Sequence, residues 1–146
     1  MKKVLIIAQA DNPKLVLEHS NQYIDDHTYS LYPELNDLAL HEYAISASVD
    51  DDIIGGIVAS KQFDTIHINS LGVASEYRHA KIGTHLLEAM EQLAMTLECH
   101  TISLSTLSYQ AFDFYKKFGY ELYGQLDDYP RRGVTKYLLY KRLSSY

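Results

Sequence analysis

The sequence has little cysteine, little positive charge and no long apolar run. Its single cysteine, Cys99, excludes an intramolecular disulfide and is typical of a protein kept in a reducing, cytoplasmic compartment. No apolar stretch approaches the roughly 20 residues that a membrane-spanning helix needs, so we expect no membrane partner. Thirteen Lys and Arg against 19 Asp and Glu give a net charge of −6, which argues against nucleic acid as a partner. The charge modestly favours a cationic small molecule or peptide, although solubility alone accounts for it more simply.

The length and composition indicate an ordinary soluble protein. A chain of 146 residues, 47% hydrophobic and 22% charged, is expected to fold as one domain over residues 1–146. The N-terminus is similar to a short signal peptide, but its apolar core is brief and Asp11 follows at once, so we predict a first strand over residues 4–8 instead. Cys99 is expected to be a small packed side chain rather than a nucleophile.

Hydrophobic periodicity predicts alternating strands and helices. Helices are predicted over residues 13–24, 79–98 and 108–118, and strands over residues 4–8, 42–49, 53–60, 66–73, 101–107, 120–126 and 134–143. This order predicts an α/β (α+β) fold with a mixed, mainly antiparallel sheet of six to seven strands, flanked by helices on both faces. The polar stretch over residues 25–36 has no clear period and is the best candidate for a mobile or substrate-facing loop.

Local signals mark several helix ends and turns. Asn12 is predicted to cap the first helix, with Pro13 in its first position. Ser108 is predicted to cap the short third helix, and Gly119 to end it. Three consecutive carboxylates at residues 50–52 point in different directions in an extended turn, so we expect a solvated turn there and no metal site.

The segment over residues 77–87 is the most informative about function, because it joins an apolar strand to an amphipathic helix. The helix has one apolar face, formed by Ile82, Leu86, Leu87, Met90, Leu93, Ala94 and Leu97. The unpaired N–H groups of its first turn and the helix dipole favour an anion beyond the end of the strand. The sequence therefore predicts a site for a phosphate-bearing ligand.

Two motifs resemble those of the GNAT N-acetyltransferase superfamily. Val73, then Arg78 and then Gly83 follow the acetyl-CoA signature: an apolar strand end, Gln or Arg, two residues, Gly, one residue, and Gly or Ala. Residues 108–121 resemble the second marker, in which Asn-x-x-Ala precedes a tyrosine and then Gly-Phe or Gly-Tyr. The two motifs occur in the order of the family, each where a predicted strand is followed by a predicted helix. Together they are far more specific than either motif alone.

The resemblance is sharpest over residues 71–120 and implies a GNAT-like domain that binds acetyl-CoA and transfers its acetyl group to a primary amine of a small molecule or peptide. It places an oxyanion donor and backbone pairing for the pantetheine arm at the end of the strand, and pyrophosphate-binding amides at residues 79–84. The cofactor-binding residues that it implies are Leu71, Gly72, Val73, Arg78, His79, Ala80, Lys81, Ile82, Gly83, Thr84, Ser108 and Ala111.

Two residues depart from the family motifs. Lys81 occupies the place of the first glycine, where close approach of the backbone to phosphate is needed. Its ammonium could reach a phosphate of CoA as a point charge, or its side chain could point to water while the loop shifts. Ser108 replaces the usual asparagine; it can still cap a helix, but it reaches less far toward the pantetheine arm.

The sequence indicates a general acid more clearly than a general base. The resemblance makes Tyr115 the general acid, and its ordinary pKa near 10 keeps it protonated at neutral pH. Periodicity alone would instead place Tyr115 in the core with other aromatic residues. His67 is a tentative general base, with a hydrogen-bonded sheet histidine, Glu42 or a water relay as alternatives, because Asn69 stands where many relatives carry a carboxylate.

Three functions stay open at this point. The leading hypothesis is an acetyl-CoA-dependent N-acetyltransferase that needs no metal. The second is a CoA-binding sensor or interaction module that has lost catalysis, and the third is an unrelated nucleotide-binding domain. A homodimer is an open alternative to a monomer, since dimers are the commonest soluble assemblies.

Overall fold

The computed structural model describes residues 3–35 and 37–143, and the chain divides into two units, residues 1–38 and 39–146. A single domain over residues 1–146 stays a prediction. The elements in chain order are α1 (Pro13–Leu31), β1 (His41–Val49), β2 (Asp52–Gln62), β3 (Thr65–Val73), a short 3-10 turn (Ser75–Tyr77), α2 (Ile82–Thr96), β4 (Thr101–Leu107), α3 (Phe112–Lys117), β5 (Glu121–Leu126) and β6 (Lys136–Arg142).

The first unit contains α1, which begins as predicted but ends later. Asn12 Oδ1 accepts a hydrogen bond from Leu15 N at 3.2 Å, and Pro13 fills the first helical position. The helix continues to Leu31, so the predicted loop over residues 25–36 is wrong for residues 25–31. Hydroxyl groups in this polar stretch bond back to the preceding turn, as Thr28 Oγ1 does to Ile24 O at 3.0 Å, and the helix therefore tolerates them. Asn36, within the predicted loop, lies outside the described residues.

The predicted first strand is also wrong. Residues 4–8 are irregular, and the side chains of Val4 and Ile7 are 80% and 90% exposed. An apolar run becomes a strand only when another strand pairs with it, and within residues 3–35 and 37–143 no ladder includes this segment. Composition alone could not reveal that the partner is missing.

The second unit contains a six-stranded sheet in the order β1-β2-β3-β4-β6-β5. Every neighbouring pair is antiparallel except β3 and β4, which confirms the mixed, mainly antiparallel sheet. Val49 pairs with Asp52 across a two-residue turn in which Asp50 and Asp51 have φ of 49° and 67°. Positive φ at both positions is typical of tight hairpin turns, which confirms the predicted turn at residues 50–52.

The hydrophobic core lies between one face of this sheet and α2. The buried face of α2 carries Leu87 and Met90, which pack in one cluster with sheet residues such as Ile57 and Ile102. Tyr115 of α3 belongs to the same cluster, so α2 and α3 cover the same face. Cys99 is 2% exposed, which confirms the prediction of a packed side chain.

Both helices start later than the sequence predicts. Residues 79–81 form a turn, and α2 begins at Ile82 because Lys81 has φ of +59°, which a right-handed helix excludes. α3 begins at Phe112, and Gly119, with φ of +87°, ends it as predicted. Throughout residues 3–35 and 37–143, no helix is both long and apolar enough to cross a membrane.

Candidate active site

The parallel strands β3 and β4 separate part-way along their length. Three residue pairs join them, and the last is His67 with Ser103. Beyond this pair the strands diverge and leave a cleft of about 950 Å³, lined by β3, β4, the loop before α2 and α3. The cleft therefore exposes a strand edge, which could bind an extended ligand by backbone hydrogen bonds.

A β-bulge shapes the β3 side of the cleft. Val58 pairs with Ser70 and Ala59 with Ile68, so Asn69 has no opposite residue in β2. The extra residue keeps the apolar side chains before and after it on the core face, and bulges commonly redirect a side chain near active sites. Asn69 lines the cleft, and its Nδ2 donates to Ser60 Oγ at 2.6 Å.

The end of β3 is tied to the loop that follows it. Ala74 N donates to Ile54 O at 2.7 Å, which holds the end of the strand against β2. Arg78 Nε donates to Val73 O at 3.3 Å, so the loop folds back on the strand. This bond uses one of the donors of Arg78, and Arg78 also lines the cleft.

The start of α2 faces the cleft with unpaired amides. The first-turn N–H groups, including those of Gly83 and Thr84, have no acceptor within the helix, and both residues line the cleft. Lys81 precedes them in the left-handed conformation, with φ of 59° and ψ of 25°, and it also lines the cleft. In the motif, glycine at this position lets the backbone approach phosphate closely. The structure adds that the position requires a positive φ, which costs a lysine roughly 1 kcal/mol.

Gly72 leaves open space at the cleft. A Cβ atom built on Gly72 would meet no heavy atom within 4 Å, so packing does not require glycine at this position. Gly72 lines the cleft beside the exposed edge of β3.

Ser108 does not cap α3, contrary to the prediction. Its Oγ accepts from Thr135 N at 3.1 Å, and its own N–H donates to Thr135 O at 2.8 Å, so it joins the β4–α3 loop to the start of β6. The helix starts three residues later than a cap at Ser108 requires, with Ala111 at its N-cap position. Ser108 and Ala111 both line the cleft.

Tyr115 combines a packed ring with an accessible hydroxyl. The residue is 6% exposed, and its ring makes edge-to-face contacts with Phe114 and Tyr120 at centroid distances of 5.2 and 5.6 Å. Burial raises the pKa of Tyr115 to about 12. Among the described residues its hydroxyl has no hydrogen-bond partner, and no fully buried side-chain N or O atom there lacks one, so the hydroxyl must reach the open space of the cleft that Tyr115 lines. The core and acid interpretations thus describe two ends of one side chain.

The structure brings most of the predicted site residues together. Those that line the cleft are Leu71, Gly72, Val73, Arg78, His79, Lys81, Gly83, Thr84, Ser108, Ala111 and Tyr115. Ala80 and Ile82 do not line it: Ala80 N donates to Tyr77 O at 3.1 Å, and Ile82 packs against the core. His67 lies just before the strands diverge, outside the lining.

The surroundings of His67 keep it neutral. Its Nδ1 lies 2.8 Å from Ser103 Oγ, and burial together with the charge of Lys136 lowers the pKa of the imidazole. A neutral imidazole can accept a proton, but its contact with Ser103 already occupies one ring nitrogen.

Sequence reasoning missed several polar residues of the cleft. Ser70, Ser105, Thr106, Gln110 and Asp113 all line it. The alternation along β4, in which serines alternate with buried apolar residues, was a usable signal for Ser105. The others depend on which parts of β3 and β4 separate, and periodicity carries no information on this.

Comparison with known proteins is decisive for the family. The sequence matches the Acetyltransferase (GNAT) family over residues 7–120. The chain belongs to this family. It is 33% identical over 93 residues to the blasticidin-S acetyltransferase of Streptomyces morookaense, which covers 63% of this chain and 68% of that protein. This membership makes the protein an acetyltransferase.

Solved structures of GNAT proteins share the fold. An acetyltransferase from Bacillus cereus superposes with a TM-score of 0.81 at 28% identity, over 93% of this chain and 97% of that one. An aminoglycoside 6'-N-acetyltransferase complexed with coenzyme A gives a TM-score of 0.65 at 22% identity, over 97% and 99%. The fold predicted from the two motifs is thereby confirmed.

Proposed function

We propose that this GNAT protein transfers the acetyl group of acetyl-CoA to a primary amine of a small molecule. The observation that carries the proposal is the divergence of β3 and β4 after His67 and Ser103, which opens a cleft next to the start of α2 and the Tyr115 hydroxyl. The same cleft is thus lined by a proton donor (Tyr115), by the backbone edge of β3 and by the start of α2, which suits an anion.

The cleft fits acetyl-CoA by the chemistry of its lining. The edge of β3 over residues 71–73 supplies backbone groups for the amides of the pantetheine arm. The N–H groups of His79, Gly83 and Thr84 and the dipole of α2 suit the diphosphate, whereas Ala80 N is already used within its turn. Arg78 and Lys81 add positive charge to the same lining. Within residues 3–35 and 37–143 no three His, Cys, Asp or Glu side chains are placed to hold a metal ion, and the proposal requires none.

Tyr115 is proposed as the general acid. When bound, acetyl-CoA supplies an activated thioester whose sulfur leaves as a thiolate. A hydroxyl with a pKa of about 12 stays protonated at neutral pH and can donate a proton to that sulfur. Core packing of its ring fixes the direction of the hydroxyl and reduces the entropy lost when it donates.

A backbone N–H at the end of β3 is proposed as the oxyanion donor. A main-chain donor held by a paired strand needs no reorganisation as charge develops. The bonds of Ala74 to Ile54 and of Arg78 to Val73 fix this strand end in place.

The base that accepts the proton of the amine is proposed to be His67 acting through water, because His67 does not line the cleft. If His67 is the base, kcat/KM falls at a pH lower than the ordinary imidazole pKa of about 6.5, because the pKa of His67 is lowered, and replacing His67 with Gln removes this acidic limb. An unchanged limb would assign the base to another group, with Glu42 or a water relay as the next candidates.

The acceptor is proposed to be an amine of an antibiotic or a similar polar small molecule. The similarity to the blasticidin-S acetyltransferase supports this class, and a cationic amine suits a protein with a net charge of −6. The polar residues Asn69, Ser70 and Ser105 give the cleft hydrogen-bonding groups for such a molecule.

The direct test is thiol release from acetyl-CoA in the presence of an amine panel that contains blasticidin S, an aminoglycoside, a polyamine and a short peptide. We expect thiol release that depends on the amine and stops when all of the amine has been converted to acetylated product. Tight CoA binding with no release on any amine would instead support a CoA-binding module without catalysis.

A further inference from the structure

Thr106 is a buried polar residue at the lining of the cleft. It is 3% exposed and, apart from tyrosine and cysteine, is the one buried polar side chain among the described residues. Along β4 it continues the alternation of Ile102 and Leu104, which point into the core. A buried hydroxyl lowers the stability of the fold unless it is hydrogen-bonded, so the hydrogen-bond partner of Thr106 indicates the role of this residue.

The partner of Thr106 is the first amide of the helix that carries Tyr115. Thr106 Oγ1 accepts a hydrogen bond from Ala111 N at 3.2 Å. Ala111 is the N-cap residue of α3 and has no side chain that could cap the helix. Thr106 therefore ties the N-cap residue of α3 to β4, by a bond other than the capping bond that the sequence suggested for Ser108.

A second hydrogen bond continues this link to Tyr115. Tyr115 N donates to Ala111 O at 3.2 Å, so both backbone groups of Ala111 are used, one toward Thr106 and one toward Tyr115. α3 contains only six residues, and a helix this short has little stability of its own. The direction of the Tyr115 hydroxyl thus depends on an anchor outside the helix.

We propose that Thr106 is a positioning residue for catalysis, which sets the Tyr115 hydroxyl in the cleft through Ala111. The inference rests on the proposed function, in which Tyr115 is the general acid. Thr106 belongs to the rigid sheet, and its hydroxyl transmits the position of β4 to α3.

The experiment compares Thr106→Val, which keeps the shape and removes the hydroxyl, with Thr106→Ser, which keeps the hydroxyl. With the best amine of the panel, we expect Thr106→Val to lower kcat about tenfold, the effect of losing one buried hydrogen bond, and Thr106→Ser to restore most of it. The KM for acetyl-CoA should change less than twofold. Thr65→Val is the matched control, because Thr65 bonds to the turn at Gln62 away from the cleft.

The Tyr115→Phe background separates positioning from a general loss of stability. If Thr106 acts through the Tyr115 hydroxyl, Thr106→Val lowers kcat no further once that hydroxyl is gone. A second tenfold loss in the Phe background, or an unchanged kcat in the single variant, would overturn the proposal. Loss of activity in Tyr115→Phe with no effect of Thr106→Val would leave the proposed function intact and overturn the inference alone.

A measurement on the unmodified protein covers the case in which Thr106→Val does not fold. The Ala111 amide should exchange with deuterium at least tenfold more slowly than the Asp113 amide. The Ala111 amide donates to Thr106 Oγ1, whereas the Asp113 amide lies in the first turn of α3 and has no acceptor within the helix. Equal exchange rates would show that the Thr106 bond is not maintained in solution and would overturn the proposal.

Discussion

His67 and Ser103 form the last pair that joins β3 to β4, and their side chains are in contact on one face of the sheet at 2.8 Å between Nδ1 and Oγ. The cleft begins immediately beyond this pair. The two residues therefore end the paired part of the sheet, and the proposed acetyl transfer takes place in the cleft beyond them.

The lowered pKa of His67 predicts a loss of stability in mild acid. Burial and Lys136 favour the neutral imidazole in the folded protein, whereas the unfolded chain takes up a proton near its ordinary pKa of about 6.5. The contribution is present above that pH and is lost as the pH falls through the lower, folded-state pKa. Urea unfolding at pH 7.5 and 5.5 should show a smaller decrease for His67→Gln than for the native protein. An equal decrease in both would contradict this assignment.

Tyr115 predicts a second loss of stability, in alkali. Its folded pKa of about 12 exceeds the ordinary value of about 10, so its contribution is complete below pH 10 and is lost as the pH rises from 10 to 12. The difference corresponds to about 3 kcal/mol in the free energy of unfolding. Tyr120, whose pKa burial and Glu91 also raise, acts in the same direction. Unfolding between pH 9 and 11.5 should depend less steeply on pH in Tyr115→Phe, and an identical slope would count against the burial of this phenol.

Gly72 predicts a separation of binding from stability. Its added Cβ meets no protein atom, so Gly72→Ala should fold with an unchanged or slightly higher Tm, yet the methyl group would be added to a residue that lines the cleft. We expect the Kd for CoA, measured by calorimetry, to rise at least fivefold, about 1 kcal/mol.

Gly56→Ala is the matched control for this change. Gly56 pairs with Gly72 across β2 and β3, lies outside the cleft, and its Cβ would make an ordinary contact of 3.6 Å with Ile45 O. CoA binding by Gly72→Ala equal to that of Gly56→Ala would place the ligand elsewhere.

Replacing Lys81 is expected to have two opposite effects, because it relieves backbone strain and removes a positive charge from the cleft. Lys81→Gly relieves the positive φ and should leave stability equal or up to about 1 kcal/mol higher, while the loss of the ammonium weakens CoA binding several-fold. The salt dependence of the Kd should become shallower, because one fewer positive charge faces the phosphates.

Lys81→Asn distinguishes the two effects, since asparagine tolerates the left-handed conformation without a charge. It should bind CoA as weakly as Lys81→Gly. If both variants bind as tightly as the native protein, the lysine side chain points to water and has no part in binding.

The parts of the fold that sequence predicts well are those in which local pattern and packing agree. The apolar spacing of α2 indicates directly which of its faces is buried, and the core contains Leu87 and Met90 as expected. The turn at residues 50–52 was predictable because its residue types match the backbone that it requires.

Partners that no local pattern reveals account for the failures at residues 4–8 and at Ser108. Residues 4–8 have the pattern of a strand without a described partner. Ser108 has the residue type of a cap, yet it bonds to Thr135, whereas Thr106 bonds to the N-cap residue Ala111. The failure over residues 25–31 is local, because a polar stretch that suggests a loop contains hydroxyls that bond within the helix.

The most direct test of the central claim is the kcat of Tyr115→Phe, measured by thiol release with the best amine of the panel, together with the Kd for CoA. We predict that kcat falls at least about 100-fold, as expected for loss of a general acid, while the Kd for CoA changes less than twofold. An undiminished kcat would contradict the account, because Tyr115, which lines the cleft, would then have no part in the transfer.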